Sequence, residues 1–484
     1  MFSKGGRTMK TEAYVEKLMK DYNVAGMSVA VVKDGKVIHN AGYGRRNVAE
    51  DLPMSENTVL PIGSTTKSFT ALALAMLVDE GKLEWDEPVI TYIPWLRLAT
   101  DELTKNVTTR DLLCHRTGIP RYDMQAAFYI LDDWKKQTGT FKELKPNKAF
   151  RTAFQYSNQM VSLAGHLIDV LTEQSYEDFV RERIFRPLGM EHTDFEVDSL
   201  KNYEESSKGY VFDGKNWMEP PYLHLGALNP AGGIVSTSTD MANYMLFQLG
   251  DGTWNGTRLV SKKNLDEMHT HQMIGSPYFW TFPEEQTAEY GLAWMVDIYR
   301  GKKVVSHGGN TNGFSSQLAL LPENGFGIVA LSNATSSFSV EALSNYLLDE
   351  ELGVAEIPDW SKRYQDVFTN YYGEIMKGIQ DSAAKKIPDT KTTKELSAYA
   401  GTYENPGFGT LEITFADGKL SGSWNGFPAM LNHYHYDGFD ILLPLMGAQL
   451  PAQFVIGDDG AVAGVKVGVE TAPGTEPDFF RKTK

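Results

Sequence analysis

The chain has 484 residues, enough for two or three domains, and its 42% hydrophobic and 22% charged residues are typical of a globular protein with a sizeable core. A formal net charge of −16 argues against nucleic acid or anionic membranes as main partners, because both repel an acidic surface. The single cysteine, Cys114, excludes an intrachain disulfide.

No leader or membrane segment is visible in the sequence. Residues 1–9 lack the apolar core of a signal peptide, and the longest apolar run, near residues 72–78, is far too short to span a bilayer. We therefore expect no membrane span and a cytoplasmic location, with secretion left open if a leader has been trimmed from the chain.

The first predicted elements are a helix and a hairpin. Residues 11–22 have the pattern of a short amphipathic helix, and the apolar runs 27–32 and 37–42 flank the dipeptide Asp34-Gly35. Asp-Gly between two apolar runs is a strong signal for a two-residue β-turn. The sequence therefore predicts an antiparallel strand pair near the N-terminus.

A serine and a lysine one helical turn apart open the next element. An apolar helix is predicted over 64–81, so Ser64 lies at its N-terminus, where unpaired N–H groups favour negative charge. Lys67 is about 4.5 Å further along the axis on the same face, which places an amine beside a hydroxyl nucleophile. The alternative is that Ser64 only caps the helix and Lys67 is a solvated charge, because Ser-x-x-Lys is common by chance.

Tyr156 and Asn158 form a second candidate group in a mostly helical region. Helices are predicted there over 109–113, 158–172 and 175–186, with loops and short helices over 121–150. The phenol of Tyr156 can carry a proton near a lysine, and the amide of Asn158 can hold Lys67 or a substrate amide. The alternative is a helix cap beside a core tyrosine.

The region after residue 235 is rich in strands. A helix over 241–249, capped by Ser238 or Thr239, precedes them. Strand-like runs occupy 290–298, 303–306, 314–321 and 326–332, and a helix follows at 340–352. Because strands flank a helical middle, we expect an α+β fold or a sheet assembled from both termini.

His307, Gly309 and Asn310 lie where a predicted strand runs into glycines. Glycines let a substrate approach the backbone closely, and an edge strand offers N–H groups to an acyl oxygen. His307 is placed to donate to a substrate carbonyl or carboxylate. The alternative is an ordinary turn, and a phosphate-binding loop is excluded because no Gly-Lys-Ser/Thr follows.

The C-terminal part has a different character. Residues 356–394 are interpreted as a connector with a helix over 360–378, and residues 395–484 contain short strands separated by Asp-Gly turns. The strands are predicted at 410–415, 419–424, 431–436, 439–443, 453–456 and 462–469. The pattern indicates a separate small antiparallel β-barrel or sandwich.

Three motifs, in this order, resemble those of the serine β-lactamase and penicillin-binding-protein superfamily: Ser64-x-x-Lys67, Tyr156-x-Asn158 and His307-x-Gly309. The likeness is closest to the class C-type β-lactamase-related hydrolases, which include esterases and D-amino-acid-specific peptidases. It covers residues 10–355. The strand pattern of residues 395–484 resembles the lipocalin-like β-domain attached to some members.

The resemblance implies a β-lactamase/transpeptidase-like domain over 10–355, with an antiparallel sheet and a helical subdomain, and a small all-β barrel over 395–484. It implies a serine hydrolase that cleaves amide or ester bonds of a small-molecule or peptide substrate through an acyl-enzyme. No cofactor, metal or nucleic acid is implied, and assembly into a homo-oligomer stays open.

By the same resemblance, each motif residue has a role. Ser64 is the nucleophile, and Lys67 and Tyr156 transfer protons. Asn158 positions Lys67 and a substrate amide. The backbone N–H groups of Ser64 and Asn310 form the oxyanion hole. Which of the two proton carriers is the base stays open. We expect Tyr156 to pass the proton to the leaving group and later to activate water.

His307 is a departure, since β-lactamases of this type usually carry a lysine there. A mostly neutral imidazole attracts a β-lactam carboxylate less than an ammonium does, which favours other esters or amides as substrates. Aromatic side chains are candidates for the wall of the acyl pocket, with core packing as the alternative. They are Phe128, Tyr129, Trp134, Tyr222, Tyr278, Phe279, Trp280 and Phe282.

Other functions are less well supported by the sequence. No G-x-S-x-G surrounds Ser64, which argues against an α/β-hydrolase, and Cys114 and His115 are sequence neighbours that rarely face each other usefully. His269 and His271 have no evident carboxylate partner for a metal. The remaining alternative is a penicillin- or peptide-binding protein with slow or no turnover.

Overall fold

The computed structural model describes residues 4–275, 278, 280–335, 337–444 and 447–484. These residues form two compact units. The first comprises residues up to 95, 105–117 and 151–368, and the second comprises 96–104, 118–150 and 369–484. The boundaries at 355 and 395 that the sequence suggests stay a prediction.

A nine-stranded antiparallel sheet organises the first unit. The N-terminal strand Gly26–Lys33 pairs with Phe326–Ser332, from Met27 opposite Ser332 to Lys33 opposite Phe326. This confirms the predicted α+β fold with a sheet drawn from both termini. In spatial order the strands are Met273–Ile274, Glu289–Tyr290, Met295–Tyr299, Lys302–Thr311, Phe314–Leu321, Phe326–Ser332, Gly26–Lys33, Lys36–Asn47 and Leu52–Pro53.

The predicted N-terminal hairpin is confirmed, and its turn shows why. Asp34 and Gly35 have φ angles of 48° and 76°. A two-residue turn that matches the strand twist needs positive φ at both positions, which glycine and aspartate tolerate better than most residues.

Helices occur in both units. They are Lys4–Tyr22, Thr66–Asp79, Val89–Tyr92, Asp101–Asn106, Thr109–Leu113, Asp123–Phe128, Trp134–Thr140, Asn158–Gly165, Leu167–Thr172, Tyr176–Val180, Arg186–Leu188, Asn229–Gly232, Ser238–Gln248, Lys262–Met268, Ser339–Glu351 and Trp360–Ala384. Short strands add small sheets, at Leu60–Pro61, Ile234–Ser236 and Asp194–Phe195, at Val211–Phe212 and Trp217–Met218, and at Thr253–Trp254 and Thr257–Arg258. None of the helices within the described ranges is long and apolar enough to cross a membrane.

Several predicted boundaries were wrong. The helix predicted over 158–172 divides at His166, and a π-helical turn at Arg181–Phe185 interrupts the next one. Thr237, not Ser238 or Thr239, caps the helix that begins at Ser238. The backbone of Thr237 is extended, and the Thr237 hydroxyl accepts a hydrogen bond from the Asp240 N–H at 3.0 Å.

The strand predicted over 290–298 is also two strands. The Gly291 N–H donates to the Trp294 carbonyl at 2.7 Å, and Ala293 has a φ of 61°. A tight turn therefore separates Glu289–Tyr290 from Met295–Tyr299. This turn keeps Tyr290 at the end of its own short strand, where its hydroxyl contacts a residue of the candidate site.

Alternating side chains bury both faces of the sheet. Phe326, Ile328 and Ala330 pack into a core with residues of the flanking helices, including Val340 and Trp360. All of the residues of Phe326–Ser332 are buried. A strand covered on both faces is fixed in place, so it supports its neighbours as a rigid platform.

The second unit contains a closed antiparallel barrel of eight strands, two more than predicted. The strands are Gly401–Asn405, Gly409–Ala416, Lys419–Trp424, Phe427–His435, Gly438–Leu443, Ala448–Ile456, Val462–Val467 and Asp478–Lys482. The first and last of them were missed, and they close the barrel by pairing Tyr403 with Lys482. Within the same unit the Gln125 amide donates to the Gly407 carbonyl at 2.7 Å.

Candidate active site

The helix that carries the candidate nucleophile runs through the core. A 3-10 turn, Gly63–Thr65, leads into Thr66–Asp79, in which every residue from Thr66 to Leu77 is buried. A helix that is enclosed on all sides cannot rotate without breaking its packing. Ser64, at its entrance, is partly exposed and lies at a fixed position.

Lys67 contacts Ser64 directly. The Lys67 Nζ lies 2.8 Å from the Ser64 Oγ and 2.6 Å from the Ala231 carbonyl oxygen. The lysine is 0% exposed, so its amine is held in a site that water does not reach freely. An amine against a serine hydroxyl in a low-dielectric pocket is suited to proton transfer during nucleophilic attack.

Tyr156 covers the other side of this lysine. The Lys67 Nζ lies 4.8 Å from the centre of the Tyr156 ring, and the Tyr156 side chain is 7% exposed. His115 supports the segment around it, because the Ser157 N–H donates to the His115 Nδ1 at 3.1 Å and the Gln155 N–H donates to the His115 carbonyl at 2.7 Å. The structure therefore brings two of the sequence motifs together.

Asn158 begins the helix Asn158–Gly165. Its Oδ1 is buried and accepts no hydrogen bond from the described residues. A buried acceptor without a partner is costly, and such atoms are found where a ligand supplies the missing donor.

The strand Lys302–Thr311 passes beside the nucleophile. A Cβ atom placed on Gly309 would lie 2.8 Å from the Ser64 nitrogen, and one placed on Gly63 would lie 2.8 Å from the Asn310 nitrogen. The backbone amides of Ser64 and Asn310 are therefore neighbours, and both glycines are needed for this approach.

His307 is buried at the same place, with both ring nitrogens engaged. Its Nδ1 lies 2.6 Å from the Gly308 carbonyl, which only accepts, so Nδ1 carries the proton. The Nε2 is 2.8 Å from the Tyr290 hydroxyl and accepts a hydrogen bond from it. Burial, and then the nearby charge of Lys67, lower the pKa of His307 to about 3, so the ring is neutral at pH 7.

Tyr290 is the site residue that sequence reasoning missed. Its side chain is fully buried and packs with Tyr156 and Met295. The sequence predicts that His307 donates a hydrogen bond to a substrate. In this arrangement its one ring proton is donated to the Gly308 carbonyl, so the ring has no N–H left for a substrate. No local motif marks Tyr290, since its partner lies in a different strand.

Two of the aromatic residues predicted to wall the site, Trp280 and Phe282, pack in a different core cluster. Tyr278 does pack against the cluster of Tyr156, Tyr290 and Met295. Phe282 and Trp280 pack against Tyr364, with ring centres 5.0 Å and 5.9 Å away, and Tyr278 stacks on Trp280 at 4.3 Å. The side chain of Phe128 and all of Phe279 lie outside the described residues. Packing is therefore the better explanation for Trp280 and Phe282.

No metal centre is found among the residues that the structure describes, since no three His, Cys, Asp or Glu side chains are grouped to hold an ion. His269 is buried, and burial lowers its pKa to about 3.

Comparison with known proteins agrees with the fold. The family model described as Beta-lactamase matches residues 11–352, and one described as Domain of unknown function (DUF3471) matches residues 385–482. The chain is 28% identical to the Unguisins hydrolase ungD' of Aspergillus campestris (strain IBT 28561), covering 97% of this chain and 90% of that protein.

Two solved structures are similar as well. The octameric penicillin-binding protein homologue from Pyrococcus abyssi has a TM-score of 0.63 at 24% identity, covering 98% of this chain and 99% of that one. The D-amino acid amidase from Ochrobactrum anthropi SV3, complexed with L-phenylalanine amide, has a TM-score of 0.57 at 25% identity, covering 71% and 98%. Since the family match spans well over half of the chain, the protein belongs to the superfamily of β-lactamase- and penicillin-binding-protein-like serine hydrolases, with a C-terminal all-β barrel domain.

Proposed function

We propose that the protein is a serine hydrolase that cleaves amide or ester bonds of a small-molecule or peptide substrate through an acyl-enzyme on Ser64. The observation that carries this proposal is the 2.8 Å contact between the Ser64 Oγ and the Nζ of the fully buried Lys67. A serine in contact with an amine at a helix start has what a nucleophile requires: a proton acceptor and a positive local potential.

The proposed reaction has two half-reactions. The Ser64 Oγ attacks the acyl carbon and loses its proton, and the tetrahedral intermediate collapses when the leaving amine or alcohol takes a proton. Water then adds to the acyl-enzyme, gives up a proton, and releases the acid and the free Ser64 hydroxyl. Lys67 and Tyr156 share these proton transfers, and either can be the first base.

We assign the later transfers to Tyr156. Its ring lies against Lys67, so a change in charge on one is felt by the other. In this scheme Tyr156 passes the proton to the leaving group and later activates the water.

The oxyanion hole is proposed to consist of the Ser64 and Asn310 N–H groups, with Gly309 allowing the strand to approach. Their proximity supports this assignment. Loss of one such donor typically costs about 3 kcal/mol of transition-state stabilisation.

Asn158 is proposed to bind the substrate by a hydrogen bond, and His307 is proposed to line the substrate site without donating one. The unpartnered Oδ1 of Asn158 is suited to accept a hydrogen bond from a substrate amide N–H. His307 contributes a neutral ring rather than a charge, which favours uncharged acyl groups over carboxylate-bearing β-lactams. The similarity to a D-amino acid amidase supports amides within this range.

A substrate panel tests the function. Wild type and Ser64→Ala are assayed with p-nitrophenyl esters, amino acid amides and nitrocefin, and a fluorescent penicillin reports acylation. We expect turnover of esters or amides by wild type and none by Ser64→Ala. Permanent labelling of Ser64 without turnover would instead indicate the penicillin- or peptide-binding alternative.

Assembly, location and the family relation of the barrel remain proposals. We propose a homo-oligomer, which light scattering on the full chain tests, and a lipocalin-like relation for the barrel. A cytoplasmic location and the absence of a nucleic-acid partner stay expectations from the sequence.

A further inference from the structure

A cavity lies in the first unit, between the sheet, the helix Ser339–Glu351 and the start of the helix Trp360–Ala384. It offers about 50 Å³ to water-sized groups. The sheet lines it with Ser306 and Gln317, which alternate along their strands with His307 and Ser316. The Ser316 hydroxyl donates to the Ile62 carbonyl, next to the turn Gly63–Thr65 that carries Ser64. Because successive residues of a strand point to opposite faces, the cavity lies on the other face of the sheet from Ser316.

The described lining of this cavity is acidic. Glu285, Asp297 and Glu341 line it, and none of the described residues around it is a lysine, arginine or histidine. Glu341 is 4% exposed, and its Oε2 has no hydrogen-bond partner among the described residues. Burial raises the pKa of Asp297 and of Glu341 to about 7, which is the response of carboxyls enclosed without a positive partner.

Aromatic rings complete the lining. Tyr278 and Trp280 stack at 4.3 Å, and the Tyr364 ring meets Trp280 edge-on at 5.9 Å. The faces of such rings attract cations, and boxes of aromatic rings with carboxylates are suited to ammonium groups. The carboxyls are not grouped as metal ligands in the part of the chain that the structure describes.

We propose that this cavity binds a small organic ammonium ion of about the size of methylammonium or ethylammonium. Since about 10–15 Å³ of this volume holds one water, the cavity of about 50 Å³ has room for about three to five heavy atoms. Tetraethylammonium is too large to enter. The bound ion keeps Glu341 and Asp297 ionised and supplies the donor that the Glu341 Oε2 lacks.

Calorimetry on the full chain tests the proposal, with methylammonium chloride as the probe and sodium chloride at equal ionic strength as the reference. We expect saturable binding with proton release near pH 7, stronger at higher pH, and none with tetraethylammonium. Glu341→Gln and Asp297→Asn each keep the side-chain shape, and we expect each to weaken binding about tenfold or more, as losing a charged hydrogen-bond partner does.

Matched variants separate this site from the rest of the protein. Glu374→Gln removes an exposed carboxylate on the helix Trp360–Ala384 and should leave binding unchanged. Ser64→Ala should also bind normally, so the result does not depend on the proposed hydrolase activity. Absence of saturable binding by wild type, equal binding by tetraethylammonium, or full binding by both Glu341→Gln and Asp297→Asn would overturn the proposal.

Discussion

Replacing Lys67 by methionine tests the proton-transfer role. The substitution keeps a long unbranched side chain and removes the nitrogen that contacts the Ser64 Oγ at 2.8 Å and the Ala231 carbonyl at 2.6 Å. General acid–base catalysis typically contributes about 10²- to 10⁴-fold, so kcat/KM should fall by about that factor. This corresponds to about 3–5 kcal/mol of transition-state stabilisation.

The same change should affect stability much less. Removing a buried amine relieves its desolvation, while the Ala231 carbonyl loses its donor, a loss that costs about 1–3 kcal/mol. Since the two effects oppose each other, we expect the free energy of unfolding to change by no more than about 2 kcal/mol. The protein would then remain folded while hydrolysis is lost.

The assay pairs ester hydrolysis with urea unfolding on the same preparations. Lys302→Met is the control, because the Lys302 side chain is 43% exposed and its partner Glu323 is exposed too. Such surface pairs contribute little, so the control should keep both activity and stability. If Lys67→Met hydrolysed esters as fast as the control, Lys67 would have no part in proton transfer.

Three further predictions concern the surroundings of the site. Tyr290→Phe removes the hydrogen-bond donor to the His307 Nε2 and should lower the free energy of unfolding by about 1–3 kcal/mol. Urea titration measures this change, and an unchanged unfolding midpoint would show that the hydrogen bond contributes nothing. Gly309→Ala places a Cβ 2.0 Å from the Ile62 carbonyl oxygen and should reduce kcat/KM about a hundredfold through the oxyanion hole. Gly373→Ala is the control and should keep activity, because its Cβ would meet no neighbouring atom within 4 Å among the described residues outside its own helical turn. Equal activities of the two variants would contradict the assignment. The pKa of Glu341 is raised from 4.5 to about 7. Its contribution to stability is therefore present below pH 4.5 and lost as the pH rises through 7. Glu341→Gln should be more stable than wild type by about 3 kcal/mol near pH 8 and similar to it near pH 4, and a pH-independent difference would refute the shift.

Local signals predict the framework of the site. The Asp34-Gly35 turn and the three-residue spacing of Ser64 and Lys67 each depend on a few neighbouring residues, so the strand pair and the shared helix face follow from the sequence. The α+β fold follows as well, because strand patterns at both ends of the helical region leave few ways to bury them.

Contacts between distant segments were not predictable in this way. Tyr290 bonds His307 across two strands, and this depends on the tight turn at 291–294 that no repeat pattern marks. The barrel strands Gly401–Asn405 and Asp478–Lys482 are short and find each other only when the barrel closes. The place of residues 118–150 in the second unit likewise depends on tertiary contacts, such as that of Gln125 with Gly407.

That grouping predicts what truncation at residue 394 will do. Removing the barrel takes away the Gly407 carbonyl and the Glu470 carboxylate, which accept hydrogen bonds from Gln125 and the Tyr122 N–H. We therefore expect a truncated chain to show raised hydrogen exchange over 118–150, while the nine-stranded sheet stays protected. Unchanged exchange over 118–150 would show that these residues need no support from the barrel.

The most direct test of the acyl-enzyme is its isolation. The full chain is mixed with p-nitrophenyl acetate, quenched in acid during turnover and digested with trypsin, and the peptide over 47–67 is analysed by mass spectrometry. We predict acetylation of this peptide at Ser64 in wild type and none in Ser64→Ala, which should not turn over. Steady hydrolysis by Ser64→Ala, or an acetyl group on a different side chain whose replacement stops the reaction, would contradict the account.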